Sequence, residues 1–78
     1  MSWVISEFDE ASQELKDEHK LGGVSAADLR PIFGRPDDDD MIESYPVSVA
    51  QAASLASFLE RPLTLRAGRT YFLQCFAD

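Results

Sequence analysis

The chain has 78 residues, of which 45% are hydrophobic, and its 14 acidic and 7 basic side chains give a formal net charge of −7. A chain of this length supports a single hydrophobic core, so residues 1–78 are expected to form one domain. The negative charge argues against unaided binding to nucleic acid or to an anionic membrane, because both need local positive charge, and it favours a basic partner.

The sequence also predicts where the protein works. Cys75 is the single cysteine and cannot form an internal disulfide. No apolar run approaches the roughly 20 residues that a membrane-spanning helix requires. Residues 1–7 lack the basic region and the long apolar stretch of a secretion signal. We therefore expect a cytoplasmic protein.

The first predicted element is a strand at residues 3–8, where β-branched and aromatic residues are frequent. Residues 10–20 are ambiguous, because their helix propensity is high but their apolar positions make no helical stripe. Alternating charges favour a second strand instead, whose one face carries Leu15, Asp17, His19 and Leu21. The two strands form a predicted hairpin with its turn at residues 9–13, and Gly22-Gly23 ends it.

A short helix is predicted next. Ser25 is placed to cap it and Asp28 occupies the reciprocal position of a capping box. Pro31 removes one backbone donor, so the helix should end near Phe33, with Gly34 in the left-handed conformation at its C-terminus. Its core-facing residues are predicted to be Leu29, Ile32 and Phe33.

The middle of the chain predicts a second helix. Residues 41–47 could be a short strand or an extended connector. Ser48 and Gln51 form another capping box, so a helix is expected to run from there to Leu59 or Glu60. Its predicted apolar stripe comprises Ala52, Leu55, Ala56, Phe58 and Leu59. The outer side carries only small uncharged residues, which indicates either a plain exposed or doubly buried face or a flat docking surface.

The last segment resembles a hairpin with Gly68 at its turn, between residues 63–65 and residues 71–76. The final strand is apolar on both faces, which is typical of a strand in the middle of a sheet. The predicted fold is therefore α+β: a small antiparallel sheet of three to four strands with two short helices packed on one face.

Four consecutive aspartates, Asp37, Asp38, Asp39 and Asp40, are the feature that folding does not explain. They repel one another, favour neither helix nor strand, and follow Pro36, so a solvated loop is expected. This loop would be a negative surface feature, useful either for binding or for solubility.

No residue pattern indicates catalysis, a cofactor or a metal. His19 and Cys75 have no orienting signature around them. The four aspartates lack the alternating ligands, central glycine and distal glutamate of a calcium loop. Gly22-Gly23 stands alone, and a carboxylate-rich surface would repel phosphate. We therefore expect a protein that is not an enzyme.

One pattern spans most of the chain and comprises Phe8-Asp9, Glu14-Leu15, Leu29, Phe33-Gly34, Pro36-Asp37-Asp38-Asp39, Met41, Tyr45-Pro46-Val47, Gln51-Ala52, Leu55 and Leu59. It resembles an uncharacterised bacterial family of small acidic proteins. In related chains the first turn commonly carries glycine before the Glu-Leu pair, where this chain has Gln13. Proteins of this style are similar to the immunity proteins of polymorphic toxin systems, which neutralise a toxin by plugging its active site.

The resemblance and the charge together predict a non-enzymatic immunity protein for a basic toxin domain, most plausibly one that acts on nucleic acid or a nucleotide. Electrostatic attraction would speed the encounter, and a few apolar anchors would supply affinity. The residues predicted to bind the partner are Asp37, Asp38, Asp39, Asp40, Glu43 and Tyr45. The alternative is an adaptor or regulatory module unrelated to toxins, which would use the outer face of the second helix.

Overall fold

The computed structural model describes residues 1–77 and contains a four-stranded antiparallel sheet with two short helices. The strands β1 (Ser2–Asp9), β2 (Leu15–Lys20), β3 (Tyr45–Pro46) and β4 (Arg69–Phe76) lie in the order β2-β1-β4-β3. The helices are α1 (Ala26–Phe33) and α2 (Val49–Leu55), and a 3₁₀ helix, Ala56–Phe58, follows α2 directly. This architecture confirms the predicted α+β class. Within residues 1–77, no helix has the length and apolar character that crossing a membrane requires.

The hairpin of β1 and β2 is confirmed, and its turn is closed by Asp9. The backbone N–H of Asp9 donates to the carbonyl of Glu14 at 2.8 Å, and the Asp9 carboxylate accepts from the N–H groups of Ala11 and Ser12. Gln13 has a φ of 61°, in the left-handed region that glycine adopts most easily. The backbone geometry therefore favours glycine at this position.

One irregularity in β2 changes the face on which Leu15 lies. Asp17 pairs with Glu7, but Leu15, two residues earlier, pairs with Phe8. The extra residue, Lys16, is accommodated as a β-bulge. The prediction that Leu15 shares a face with Asp17 is therefore wrong, because the bulge places Leu15 beside Phe8 on the other face, where it is 52% exposed.

Both predicted capping boxes are present. The Ser25 hydroxyl accepts from the Asp28 N–H while the Asp28 carboxylate accepts from the Ser25 N–H, and Gly34 ends α1 with a φ of 63°. Ser48 and Gln51 make the same reciprocal pair at the start of α2. These interactions join residues three apart, so they define the helix starts without help from the rest of the fold.

The second helix is shorter than predicted. After Leu55 the chain tightens into the 3₁₀ helix, and Leu59 leaves it in extended conformation to form an isolated bridge with Leu21. Because a 3₁₀ helix has three residues per turn, the stripe predicted for a continuous α-helix is interrupted. Ala56, which was expected on that stripe, is exposed.

The predicted final hairpin is wrong in its first strand. Residues 62–66 form no strand, and β4 pairs with β1 and β3 instead. The carbonyl of Gly68 accepts from the N–H of Glu10 at 2.9 Å, and the N–H of Arg66 donates to the Tyr71 hydroxyl at 2.9 Å, so the segment packs against the first hairpin and β4. The central position of β4 confirms the prediction from its apolar faces.

The core lies on one face of the sheet, between the strands and the helices. Its buried side chains are Ile5, Leu21, Leu29, Met41, Tyr45, Val47, Ala52, Leu55, Tyr71 and Leu73. On the opposite face the rings of Phe8 and Phe72 meet edge to face with centroids 6.0 Å apart, and Phe76 is 45% exposed. This face, here called the open face, therefore exposes apolar surface at its edges, although Val4 and Ser6 on it are buried.

Candidate functional site

The acidic loop, residues 35–43, is organised by one of its own aspartates. The Asp39 carboxylate accepts from Arg35 Nε at 2.6 Å, from the Met41 N–H at 2.8 Å and from the Tyr45 hydroxyl at 3.1 Å. The Arg30 Nε donates to the Asp39 carbonyl at 2.6 Å. Asp39 therefore turns inward and joins the loop to α1 and β3.

This arrangement shifts the ionisation of two groups. The hydrogen bond from Arg35, and then the one from the Met41 N–H, lower the pKa of Asp39 below its ordinary value of 3.8. Burial, and then the bond to the Asp39 carboxylate, raise the pKa of Tyr45 above its ordinary value of 10.0. Asp39 is thus held as a carboxylate and Tyr45 as a neutral phenol.

The remaining carboxylates of the loop point outward. Asp37, Asp38, Asp40 and Glu43 are all exposed. Part of the loop surrounds a surface cleft of about 300 Å³ whose carboxylates come from Asp38, Asp39, Asp40 and Glu43. Ile42 lines the same cleft and is 48% exposed. Arg35 also lines the cleft, but its guanidinium is paired with Asp39. Asp38, Asp40 and Glu43 therefore remain available to a cationic side chain, and Ile42 offers the aliphatic part of that side chain an apolar contact.

Tyr45, predicted as an anchor for a partner, is a core residue. Its side chain is buried, its ring lies 5.9 Å from that of Phe33, and the guanidinium of Arg35 sits 5.6 Å from its centroid. Tyr45 therefore stabilises the acidic loop from within the core, through the hydrogen bond of its hydroxyl to Asp39. Of the predicted partner-binding residues, Asp37, Asp38, Asp40 and Glu43 are presented to solvent, whereas Asp39 and Tyr45 are engaged within the chain.

Another anchor joins the loop to the sheet. The indole Nε1 of Trp3 donates to the Met41 carbonyl at 2.8 Å. Met41 has a φ of 60° and is fully buried, so the chain accepts left-handed backbone there while its side chain fills the core. Met41 therefore fixes the loop near its end in two ways, by the hydrogen bond that its carbonyl accepts from Trp3 and by the burial of its side chain in the core.

A second polar cluster is formed by residues of β1, β2 and β4. Glu7 is buried in β1, and its Oε1 lies 2.8 Å from His19 Nε2 on β2. Its Oε2 lies 3.7 Å from Arg69 Nε on β4. The Nη1 of Arg69 is buried and has no hydrogen-bond partner within residues 1–77. The ligand atoms of Glu7, Asp17 and His19 lie within 4.8 Å of one another, a spacing compatible with a metal ion.

This cluster forms part of a cavity of about 410 Å³ between β2 and the segment 61–66. Four of the seven lysine and arginine residues of the chain line it, namely Lys16, Arg61, Arg66 and Arg69. The cavity, here called the basic cavity, also contains Glu7, Asp17 and His19. The fold therefore brings most of the cationic side chains of an acidic protein to one cavity.

The family model of a domain of unknown function, DUF7683, matches residues 2–74. The chain belongs to the DUF7683 family. Comparison with curated proteins and with solved structures gives no match. The family assignment agrees with the resemblance to an uncharacterised family.

Sequence reasoning missed the basic cavity of this DUF7683 chain. Its cations come from positions 16, 61, 66 and 69, and no local motif joins them. They meet because β4 returns beside β1 while the segment 61–66 runs past β2. The four aspartates, by contrast, are visible in the sequence as a single run.

Proposed function

We propose that this DUF7683 protein is a non-enzymatic immunity protein that binds and neutralises a basic toxin domain through its acidic loop. The observation that carries the proposal is the inward Asp39, which fixes the loop while Asp37, Asp38, Asp40 and Glu43 face solvent. A loop whose backbone is held in place before binding loses little conformational entropy when a partner arrives.

The cleft of the acidic loop supports a specific mode of recognition. A lysine or arginine of the toxin enters between Asp38, Asp40 and Glu43, and its aliphatic stem contacts Ile42. Toxins that act on nucleic acid or nucleotides carry cationic side chains around their substrate channel. The acidic loop binds these side chains and blocks the channel. Complementary charge accelerates association, and the apolar contact slows dissociation.

Co-expression with a candidate toxin tests the proposal. The probe is the C-terminal domain encoded by a neighbouring gene, and cell survival is measured with and without this protein. We expect survival, together with a complex of the two purified proteins on size-exclusion chromatography. Continued killing by the toxin domain despite abundant folded protein would contradict the proposal.

A charge-matched pair of variants separates the loop from overall charge. The first variant carries Asp37→Lys, Asp38→Lys and Asp40→Lys, and the control carries Glu10→Lys, Glu18→Lys and Glu60→Lys, all at exposed positions. Stopped-flow association with the toxin domain is measured at several salt concentrations. We expect the loop variant to associate at least about tenfold more slowly and with weaker salt dependence than the control. Equal effects of both variants would remove the loop from the interface.

The alternative function, an adaptor or regulatory module, is favoured by the outer side of α2. No charged residue occurs from Val49 to Leu59, and Val49 is 74% exposed. In that case Ala53→Arg would abolish partner binding, whereas reversal of the loop charges would leave the affinity unchanged.

A further inference from the structure

We propose that the basic cavity binds the phosphate group of a small organic phosphate. This inference is independent of the acidic loop, because it rests on residues of β1, β2, β4 and the segment 61–66. Its basis is a set of three arginines that line one cavity and keep N–H donors without acceptors in the part of the chain that the structure describes.

The arginines of the basic cavity have unused hydrogen-bonding capacity. The side chains of Arg61 and Arg66 make no hydrogen bond and no ion pair within residues 1–77. Arg69 keeps a buried Nη1 without an acceptor, and its contact with Glu7, at 3.7 Å, is longer than a hydrogen bond. Guanidinium groups present planar pairs of N–H donors that match the oxygens of a phosphate. An oxyanion in the cavity would supply the missing acceptors.

The carboxylates of the basic cavity are already engaged. Glu7 Oε1 is bonded to His19, and its other oxygen faces Arg69. The Oδ1 of Asp17 accepts from the N–H of Glu18 at 2.8 Å. Lys16 is paired with Glu14 at 3.2 Å, so three arginines face the two carboxylates of the cavity, and the balance favours an anion.

The same charges weigh against a metal ion at Glu7, Asp17 and His19. A metal there would take the Glu7 oxygen that His19 now contacts, and it would sit beside the guanidinium of Arg69. Repulsion from the surrounding arginines and lysine would lower its affinity further. The compatible spacing of the three ligand atoms is thus outweighed by the charge around them.

The size and walls of the basic cavity define the ligand class. Its volume of about 410 Å³ exceeds what a bare phosphate fills and falls within the range of small-molecule sites, about 300–1,000 Å³. Pro62 and Leu63 provide an apolar wall, and Thr64 adds a hydroxyl. These features fit a phosphate ester of the size of a sugar phosphate or a nucleoside monophosphate.

Nuclear magnetic resonance tests the proposal on the full chain. Inorganic phosphate, ribose 5-phosphate and adenosine monophosphate are titrated at constant ionic strength, with sodium chloride as the matched salt, while the ¹⁵Nε–¹Hε signals of the arginines are recorded. We expect saturable shifts at Arg61, Arg66 and Arg69, with tighter binding of an organic phosphate than of inorganic phosphate. Arg30 and Arg35, which donate to Asp39, serve as internal controls. The inference would be overturned if none of the three probes gave a saturable shift at millimolar concentrations. It would also be overturned if chloride gave shifts equal to those of the phosphates.

Three variants sharpen the result. A double variant, Arg61→Ala with Arg66→Ala, should weaken the binding of the organic phosphate at least about tenfold, since each substitution removes charge-assisted hydrogen bonds. Lys20→Ala, an exposed cation outside the basic cavity, should leave affinity unchanged. Glu7→Gln should strengthen phosphate binding severalfold by removing a negative charge. Two results would refute the phosphate assignment. The first is an equal loss of phosphate affinity in the double variant and in Lys20→Ala. The second is a site that binds Zn²⁺ and not phosphate, and that loses the metal in Glu7→Gln.

Discussion

Asp39 accepts a hydrogen bond from Arg35, four residues earlier in the chain, at a distance of 2.6 Å. Its neighbours Asp38 and Asp40 are exposed, so four identical residues in the sequence occupy two different environments. We expect Asp39→Asn to lower the melting temperature by several degrees, because Asn cannot replace a charged acceptor shared by three donors. Asp38→Asn is the matched control and should leave it unchanged. Thermal unfolding followed by Trp3 fluorescence gives the comparison, and equal melting temperatures would contradict the structural role of Asp39.

The pH dependence of stability follows from lowered carboxyl pKa values. Arg35 chiefly lowers the pKa of Asp39, and the N–H of Ser12 chiefly lowers that of Asp9, both below 3.8. A carboxyl group whose pKa is lower in the folded chain stabilises the fold above its unfolded pKa, and this contribution is lost as the pH falls through the folded pKa. We therefore expect the urea midpoint to fall below about pH 4. Asp39→Asn should flatten part of this decline, and an unchanged acid profile in that variant would count against the assignment.

The first turn offers a stabilising substitution. Gln13 holds a φ of 61°, a conformation that costs a residue with a Cβ about 1 kcal/mol and glycine very little. We expect Gln13→Gly to raise the free energy of unfolding by about 0.5–1 kcal/mol. Ala11→Gly, in the same turn without a positive φ, should stabilise nothing and serves as the control. Urea denaturation measures both, and a loss of stability in Gln13→Gly would mean that strain is absent at this position.

Leucine truncation distinguishes the covered face of the sheet from the open one. Leu29 is fully buried in α1, whereas Leu15 is 52% exposed beside Phe8. We expect Leu29→Ala to cost about 2–5 kcal/mol and Leu15→Ala less than about 1 kcal/mol. The first value is a large share of the total stability of a domain this small. Chemical denaturation tests the pair, and similar losses would show that a covering layer protects Leu15.

Local interactions account for what the sequence predicted well. The capping boxes of Ser25 and Ser48 and the turn at Gly34 each involve residues a few positions apart. Apolar residues on both faces of the last segment predicted a central strand, and β4 lies between β1 and β3. These features were readable because the residues that determine them are neighbours.

Long-range packing accounts for what the sequence did not predict. The bulge at Lys16 moves Leu15 to the open face, and the docking of residues 62–66 replaces an expected hairpin strand. The inward turn of Asp39 depends on donors from both sides of the loop, including Tyr45. Repulsion among four adjacent carboxylates suggests uniform solvation, whereas the fold brings an arginine and a phenol to one of them.

The pairing of β1 with β4 has a consequence for how the protein is made. β1 is separated from β4, its neighbour in the sheet, by β2, both helices and β3 along the chain. Until β4 has been synthesised, β1 has only the charged β2 as a neighbouring strand. Folding is therefore expected to be slow for a domain of this size, since the β1–β4 contacts join residues that are distant in the sequence.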